Sequence, residues 1–341
     1  MGEQSKIAWT DSTLNFWSGC TKVSAGCANC YAETLSNRGL TDSNGKLTIG
    51  QWGKGAPRKL HESAFKLAAK LNRKPWVCDD CGETSGANVK CSKCNEVDTS
   101  RGYCHRRRIF SLSLGDWLDP EVPIEWLARM LDTIRQCDQV DWLLCTKRPE
   151  LFDVRLSKVQ QALCDDCEGE FFESEGDAEL SVWLQRWQTG IEQPENIVVL
   201  ASVENQDQAD KRIPELLRIP AWRRGLSCEP LLGPVDLVYA GEMNPLHGGT
   251  PVGVKLDWVI IGGESGNKAR PCNVEWVRSL KDQCKAADVP CFVKQLGANA
   301  HGVPFPKPAP VGSMNYKLTD KKGGDWNEWP SDLKVREFYR L

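Results

Sequence analysis

Six short apolar runs recur along the chain with little polar alternation: residues 109–114 (IFSLSL), 141–146 (DWLLCT), 197–203 (IVVLASV), 224–228 (RGLSC), 257–261 (DWVII) and 290–293 (PCFV). Runs this short that stay apolar on successive positions predict strands covered on both faces, the arrangement of a parallel sheet. A seventh strand is expected near residues 6–10. Helical periodicity lies between the runs. In EVPIEWLARMLDTIRQ, Ile124, Leu127, Leu131 and Ile134 share one face behind Pro123; in NVEWVRSLKDQCKAA, Val277, Leu280, Cys284 and Ala287 do the same. Strand and helix alternate, so the expected fold is α/β, a parallel (β/α) barrel of TIM type, partial or complete.

Polar residues stand directly after the expected strands. Asp116 follows the second, Lys147 and Arg148 the third, Glu204 and Asn205 the fourth. Glu229 follows the fifth, Glu264 and Ser265 the sixth, and Lys294 and Gln295 the seventh. The C-terminal strand ends of a parallel barrel form one face, where active sites sit. Asp116, Lys147, Arg148, Glu204, Glu229, Glu264 and Lys294 are therefore the candidate catalytic residues of a shared pocket. Helix capping competes as an explanation for Asp and Asn, whereas Glu and Lys cap poorly. Two of these sites repeat a pattern, SxEN at 202–205 and SxEP at 227–230, each with a glutamate just past a strand. The GGESG turn at 262–266 lacks the GK[ST] ending of a P-loop, but its glycines permit close approach to a ligand.

Three segments break the alternation. Residues 75–103 hold four closely spaced cysteines, residues 157–195 are acidic around CDDCEGEFFESEGDAE, and residues 240–255 read as a Gly/Pro-rich loop. The expected organisation is a barrel over residues 1–74 and 104–299. A zinc-ribbon insertion at 75–103 and an acidic CxxC insertion at 157–195 interrupt it, and a tail at 300–341 follows. With 341 residues, 40% hydrophobic and 26% charged, the chain has material for a large core. Its net charge of −3 excludes a molecule-wide basic field, so any phosphate binding must be local. No apolar stretch reaches the roughly 18 residues of a membrane span. The opening MGEQSKIAWTDS has no apolar signal core, so a cytoplasmic location is expected.

The 16 cysteines are too dilute for a secreted disulfide scaffold and cluster as metal ligands do. Cys20-x6-Cys27-x2-Cys30 follows the first expected strand on a Gly-rich loop. Three thiolates there can hold three irons of a [4Fe–4S] cluster, leaving the fourth open, or can form a Cys₃ zinc site completed from a distance. Cys78-x2-Cys81-x9-Cys91-x2-Cys94 is a zinc-ribbon pattern whose metal would fold a polar insertion with little core. Tyr103, His105 and Arg106–Arg108 follow as a local basic patch able to contact phosphates. Cys164-x2-Cys167 carries no assigned role. Cys137, Cys228, Cys272, Cys284 and Cys291 read as small core residues.

The strings WTDSTLNFWSGCTKVSAGCANCYAE, FSLSLGDWL, LLCTKRPE, ASVENQDQADKRIP, LSCEPLLGPVDL, DWVIIGGESG with ARP, and PCFVKQLG resemble, in order, a three-cysteine-motif family found in phages and prophages. That family is similar to divergent radical S-adenosylmethionine (SAM) enzymes. Their usual spacing is Cx3Cx2C where this chain has Cx6Cx2C, and their GGE follows the second strand, so that role is not carried to Glu264. The resemblance implies a [4Fe–4S] cluster on Cys20, Cys27 and Cys30, SAM on the open iron, and a 5′-deoxyadenosyl radical as the reactive species. It further implies a small electron donor such as flavodoxin or ferredoxin, and the host cytoplasm as the location if the chain is phage-encoded. A nucleic acid or nucleotide is the expected substrate, with zinc in the ribbon. The competing expectation is a zinc-dependent nucleic-acid-binding or repair-accessory protein without radical chemistry.

Overall fold

The structure is a computed structural model that describes residues 2–36, 50–79, 81–86, 104–165, 175–238, 245–246, 255–302 and 318–340. Seven parallel strands form one sheet in chain order: β1 (Ser12–Leu14), β2 (Arg108–Ser111), β3 (Asp141–Thr146), β4 (Ile197–Ser202), β5 (Arg223–Cys228), β6 (Trp258–Gly262) and β7 (Cys291–Gln295). No ladder joins β1 to β7 among the described residues, so the sheet is a half-barrel rather than a closed one. Both of its edges are covered. Gly2 pairs antiparallel with Thr13 beside β1, and beside β7 Val293 N–H donates to Val335 O at 2.9 Å. Blunted edges of this kind suppress pairing between molecules.

The apolar runs are explained by two separate cores. One strand face meets the helices, among them α1 (Ile124–Gln136), α2 (Phe152–Asp165), α3 (Glu175–Gln188), α4 (Gln206–Arg218) and α5 (Val274–Ala286). The expected apolar faces hold: Leu127, Leu131 and Ile134 of α1 and Val277, Leu280 and Cys284 of α5 are buried. Asn205 and Asn273 cap α4 and α5, accepting N–H groups of Gln208 and Glu275. For Asn205, capping is thus the right reading of a polar residue after a strand. The other strand face fills the inside of the half-barrel with Phe110, Leu143, Val198, Leu200, Trp258, Ile260 and Phe292.

The N-terminal strand lies later than expected. Residues 7–10 turn, with Thr10 N–H donating to Ile7 O, and the strand begins at Ser12. This turn sends Trp9 into the barrel, against Phe110 with ring centroids 4.6 Å apart and edge-on to Trp258 at 6.2 Å. The segment expected as a tail also builds the core. Trp329 and Leu333 pack with the helical layer, while Phe338 and Tyr339 enter the barrel from its N-terminal end beside Trp258. Helices α2 and α3 run into the acidic segment, and Leu180, Leu184 and Trp187 of α3 are buried. Cys167 lies outside the described residues, and Cys164 is exposed near the end of α2.

The basic patch expected at 105–108 is overturned. Arg107 and Arg108 are buried. Arg107 donates to Ser12 Oγ and the Glu3 carbonyl, Arg108 pairs with Asp11 and lies over the Phe338 ring, and Arg106 pairs with Asp141. His105 sits between Asp11 and Asp79. These cations close the N-terminal end of the barrel because each is consumed by a carboxylate or carbonyl of the same chain. Tyr103 lies outside the described residues. The neighbouring small sheet joins residues 76–78, 84–85 and 104–106, with Cys78 directly opposite Cys104, a fifth cysteine outside the CxxC pattern. Cys91 and Cys94 lie outside the described residues. Cys137, Cys228, Cys272, Cys284 and Cys291 are buried as expected.

Tyr339 Oη donates to Asp141 Oδ2 at 2.8 Å within this closure. Tyr339→Phe leaves that buried carboxylate oxygen short of a donor. It is expected to destabilise the fold by about 1–3 kcal/mol, read as a lower denaturant midpoint with an unchanged slope.

Candidate functional site

The opposite, C-terminal end of the half-barrel holds a cavity of about 200 Å³. Cys20, Cys27 and Cys30 line it together with Asp116, Lys147, Arg148, Glu229, Glu264 and Lys294. Glu204 lies just behind, fully buried. The structure therefore gathers the strand-end residues and the three-cysteine loop at one mouth, but the strand-end residues divide into two groups by what they touch.

The first group holds the loop. Arg148 bridges Asp116 and Cys20: its Nη1 pairs with Asp116 Oδ2 at 2.8 Å, and its Nη1 and Nη2 donate to Cys20 Sγ at 3.6 and 3.7 Å. Nη2 also donates to the Thr21 carbonyl at 2.6 Å. Asp116 is itself fixed by the Thr146 hydroxyl at 2.7 Å and by Lys147 N–H at 2.9 Å. Glu204 accepts Gly26 N–H at 3.1 Å and pairs with Arg212 at 2.8 Å. Gly26 must lack a side chain, since a Cβ there would lie 2.9 Å from Glu204 Oε1. Glu264 takes a forked pair from Arg270 and an N–H from Asn29, between Cys27 and Cys30, at 3.1 Å. Arg270 reaches on to the Ala25 carbonyl at 2.7 Å. The carboxylate of the GGESG turn is therefore occupied by its own chain, through Arg270 and Asn29. Gly262 serves packing: a Cβ there would meet Glu229 Oε1 at 2.4 Å.

A second buried pair supports the same loop from outside. Arg58 pairs with Asp119 at 2.8 Å and donates to the Thr21 hydroxyl at 2.8 Å.

The second group faces the cavity. Lys294 pairs with Glu229 at 2.8 Å, and Glu229 accepts the Trp9 indole N–H at 3.3 Å, which ties the mouth to the apolar floor. Lys147 Nζ donates to Ser202 Oγ at 3.1 Å, and Cys145 Sγ lies 3.4 Å from the same hydroxyl. Burial opposes the charge of Lys147, but the neighbouring Cys27, Cys145 and Glu204 outweigh it and raise its pKa. Burial, helped by Asp116 and opposed by Arg148, pushes the Cys20 thiol up to about 12.

The sequence reading missed Cys145, Ser202 and Ser227 as lining residues, and Asn29, Arg212 and Arg270 as braces. Ser202 and Ser227 stand in the SxE repeats, and Arg270 in the ARP string, so the signal was present but fell on residues not weighed. Among the described residues, no three His, Cys, Asp or Glu side chains gather closely enough to hold a single ion. No helix among them is long and apolar enough to cross a membrane.

One family profile matches the chain, over residues 4–328, and its description is protein of unknown function (DUF5131). No curated protein and no solved structure matches.

Burial raises the Glu264 carboxyl, but its hydrogen bonds with Arg270 and Asn29 outweigh burial and hold it below the usual carboxylate range. A carboxyl held low in the folded chain contributes stability that is complete above its unfolded pKa and is lost as pH falls through the folded value. The cysteine loop is therefore expected to loosen on acidification below the ordinary carboxylate range. Hydrogen exchange over residues 20–36, corrected for intrinsic rates, should rise there in the wild type. In Glu264→Gln it should already be fast at neutral pH; equal exchange in the two proteins would count against the clamp.

Proposed function

Because the chain belongs to the DUF5131 family, with residues 4–328 matching its profile, the site itself must suggest the chemistry, and we propose a radical SAM-like iron–sulfur enzyme of phage type acting on a nucleotide or nucleic acid. The observation that carries this reading is the placement of Cys20, Cys27 and Cys30 around one cavity at the C-terminal ends of parallel strands. In a cluster each thiolate takes a separate iron, so the sulfurs need to share a cavity rather than a point. Three thiolates leave one iron open for SAM. When bound, such a cluster supplies the electron, received from a donor such as flavodoxin or ferredoxin, that cleaves SAM to methionine and a 5′-deoxyadenosyl radical for hydrogen abstraction.

The chain's own residues supply position and electrostatics. Arg148 presents two N–H donors to Cys20 and offsets its negative charge when it is ligating. Glu204 takes the Gly26 amide N–H and Glu264 the Asn29 side chain, on either side of Cys27, and this holds the thiols in place. Trp9 and Phe110 form an apolar floor that keeps water from the reacting atoms. Glu229, Lys294 and Lys147 remain to bind and orient ligands. Zinc in the 75–103 segment belongs to the same reading as a structural ion on Cys78, Cys81, Cys91 and Cys94.

Anaerobic purification with iron and sulfide reconstitution should give a brown protein with broad absorbance at about 400 nm and about four irons per chain beyond any zinc. Cys20→Ala, Cys27→Ala or Cys30→Ala should lose that iron. A colourless protein that takes up only zinc would overturn the proposal. Arg148→Lys keeps a cation for Asp116 but loses the forked donor to Cys20. It should retain iron and shift the cluster midpoint potential to a more negative value, since hydrogen bonds to ligating sulfurs raise it.

A further inference from the structure

Each carboxylate at the mouth has its own cation: Asp116 with Arg148, Glu204 with Arg212, Glu264 with Arg270 and Glu229 with Lys294, all at 2.6–2.8 Å. Lys22, at the rim, pairs with Glu33. Lys147 breaks this pattern. Among the described residues no carboxylate lies within 4.0 Å of its ammonium, whose hydrogen bond goes to the Ser202 hydroxyl. One ammonium in the cavity wall is thus without a carboxylate in direct contact.

The groups beside it are hydroxyls. Thr146 pairs in register with Ala201, and Ser202 with Ser227, so Lys147, Ser202 and Ser227 occupy neighbouring ends of β3, β4 and β5 at one level of the barrel. All three line the cavity. Ser202 and Ser227 are 4% and 6% exposed, and the Ser227 hydroxyl makes no hydrogen bond among the described residues while staying open to the cavity. An ammonium with no carboxylate in contact and a hydroxyl open to the cavity are both free to donate to a ligand. A neighbouring Cys27 thiolate can answer the charge of Lys147, but it offers nothing to the two hydroxyls. A single oxyanion answers all three groups, because each has a proton to donate once Ser202 has accepted from Lys147.

We propose that Lys147, Ser202 and Ser227 form an oxyanion subsite that binds the phosphate or carboxylate of a small ligand in the cavity. The subsite names the ligand class for the cavity of the reading above and rests on that reading only for the identity of SAM as one source of the anion. The two sources are a substrate phosphate and the SAM carboxylate, and they separate by experiment.

The full chain is titrated with inorganic phosphate at constant ionic strength, followed by its thermal midpoint, and separately with SAM and decarboxylated SAM, followed by calorimetry. Phosphate should raise the midpoint of the wild type and leave Lys147→Gln unmoved if the subsite takes phosphate. SAM should bind about tenfold or more tightly than its decarboxylated form if it takes the carboxylate, and Lys147→Gln should remove that advantage. Ser227→Ala should weaken, and Lys147→Arg largely retain, whichever preference is found. Lys147→Gln is expected to fold, since glutamine keeps an N–H donor for the Ser202 hydroxyl that lies on the cavity wall. The proposal falls if the wild type responds to neither anion, or if Lys147→Gln responds as the wild type does. Iron is measured on the same preparations. A chain without iron sinks the cluster while the phosphate titration still decides the subsite.

Discussion

The mouth of the half-barrel depends on buried ion pairs that do two jobs at once. A loop of short turns carrying three thiols has little apolar surface with which to hold itself against the strand ends. It is held by charge. Arg148, fixed by Asp116, reaches Cys20; Glu204, fixed by Arg212, takes the amide of Gly26; Glu264 and Arg270 together grip Asn29 and the Ala25 carbonyl. Each contact comes from a different strand end, so the loop is triangulated by the sheet. Low dielectric strengthens such pairs only where they are fully satisfied, and here the remaining oxygens of each carboxylate accept further N–H or O–H donors.

The two ends of the barrel use the same residue types for opposite purposes. At the N-terminal end, Arg106 and Arg108 pair with Asp141 and Asp11, Arg107 donates to Ser12 and the Glu3 carbonyl, and Tyr339 joins Asp141, which closes the interior. At the C-terminal end the pairs stand around the cavity rather than across it. Between the ends lies an aromatic layer of Trp9, Phe110, Trp258, Phe292 and Tyr339. It separates the polar closures and gives the cavity a dry floor.

Much of this was legible from apolar runs and the residues that follow them. Strand identity was, because a strand buried on both faces must be apolar on successive positions. The gathering of Asp116, Lys147, Glu229 and Lys294 was, because parallel strands end on one face. What each strand-end residue touches was only partly legible: helix capping was an open reading for Asn205 and holds, but nothing in the strings pairs Glu264 with Arg270. The run at 105–108 misled for a related reason: charge on the page says nothing about partners, and Asp11 and Asp141 stand far from those arginines in sequence. The N-terminal strand was misplaced because Trp9 is drawn inside by rings from β2 and β6, a long-range contact that outweighs local pattern.

The seam between β1 and β7 has a consequence for what the cavity can admit. With no ladder across it among the described residues, the flanks can spread without breaking a backbone hydrogen bond of the sheet. Widening is resisted by the bonds of Glu264 and Arg270 to the cysteine loop and by ring contacts such as that of Trp9 with Trp258. The resting volume is then a lower bound on the largest guest, and tolerance to bulk is set by the clamps and rings that cross the seam.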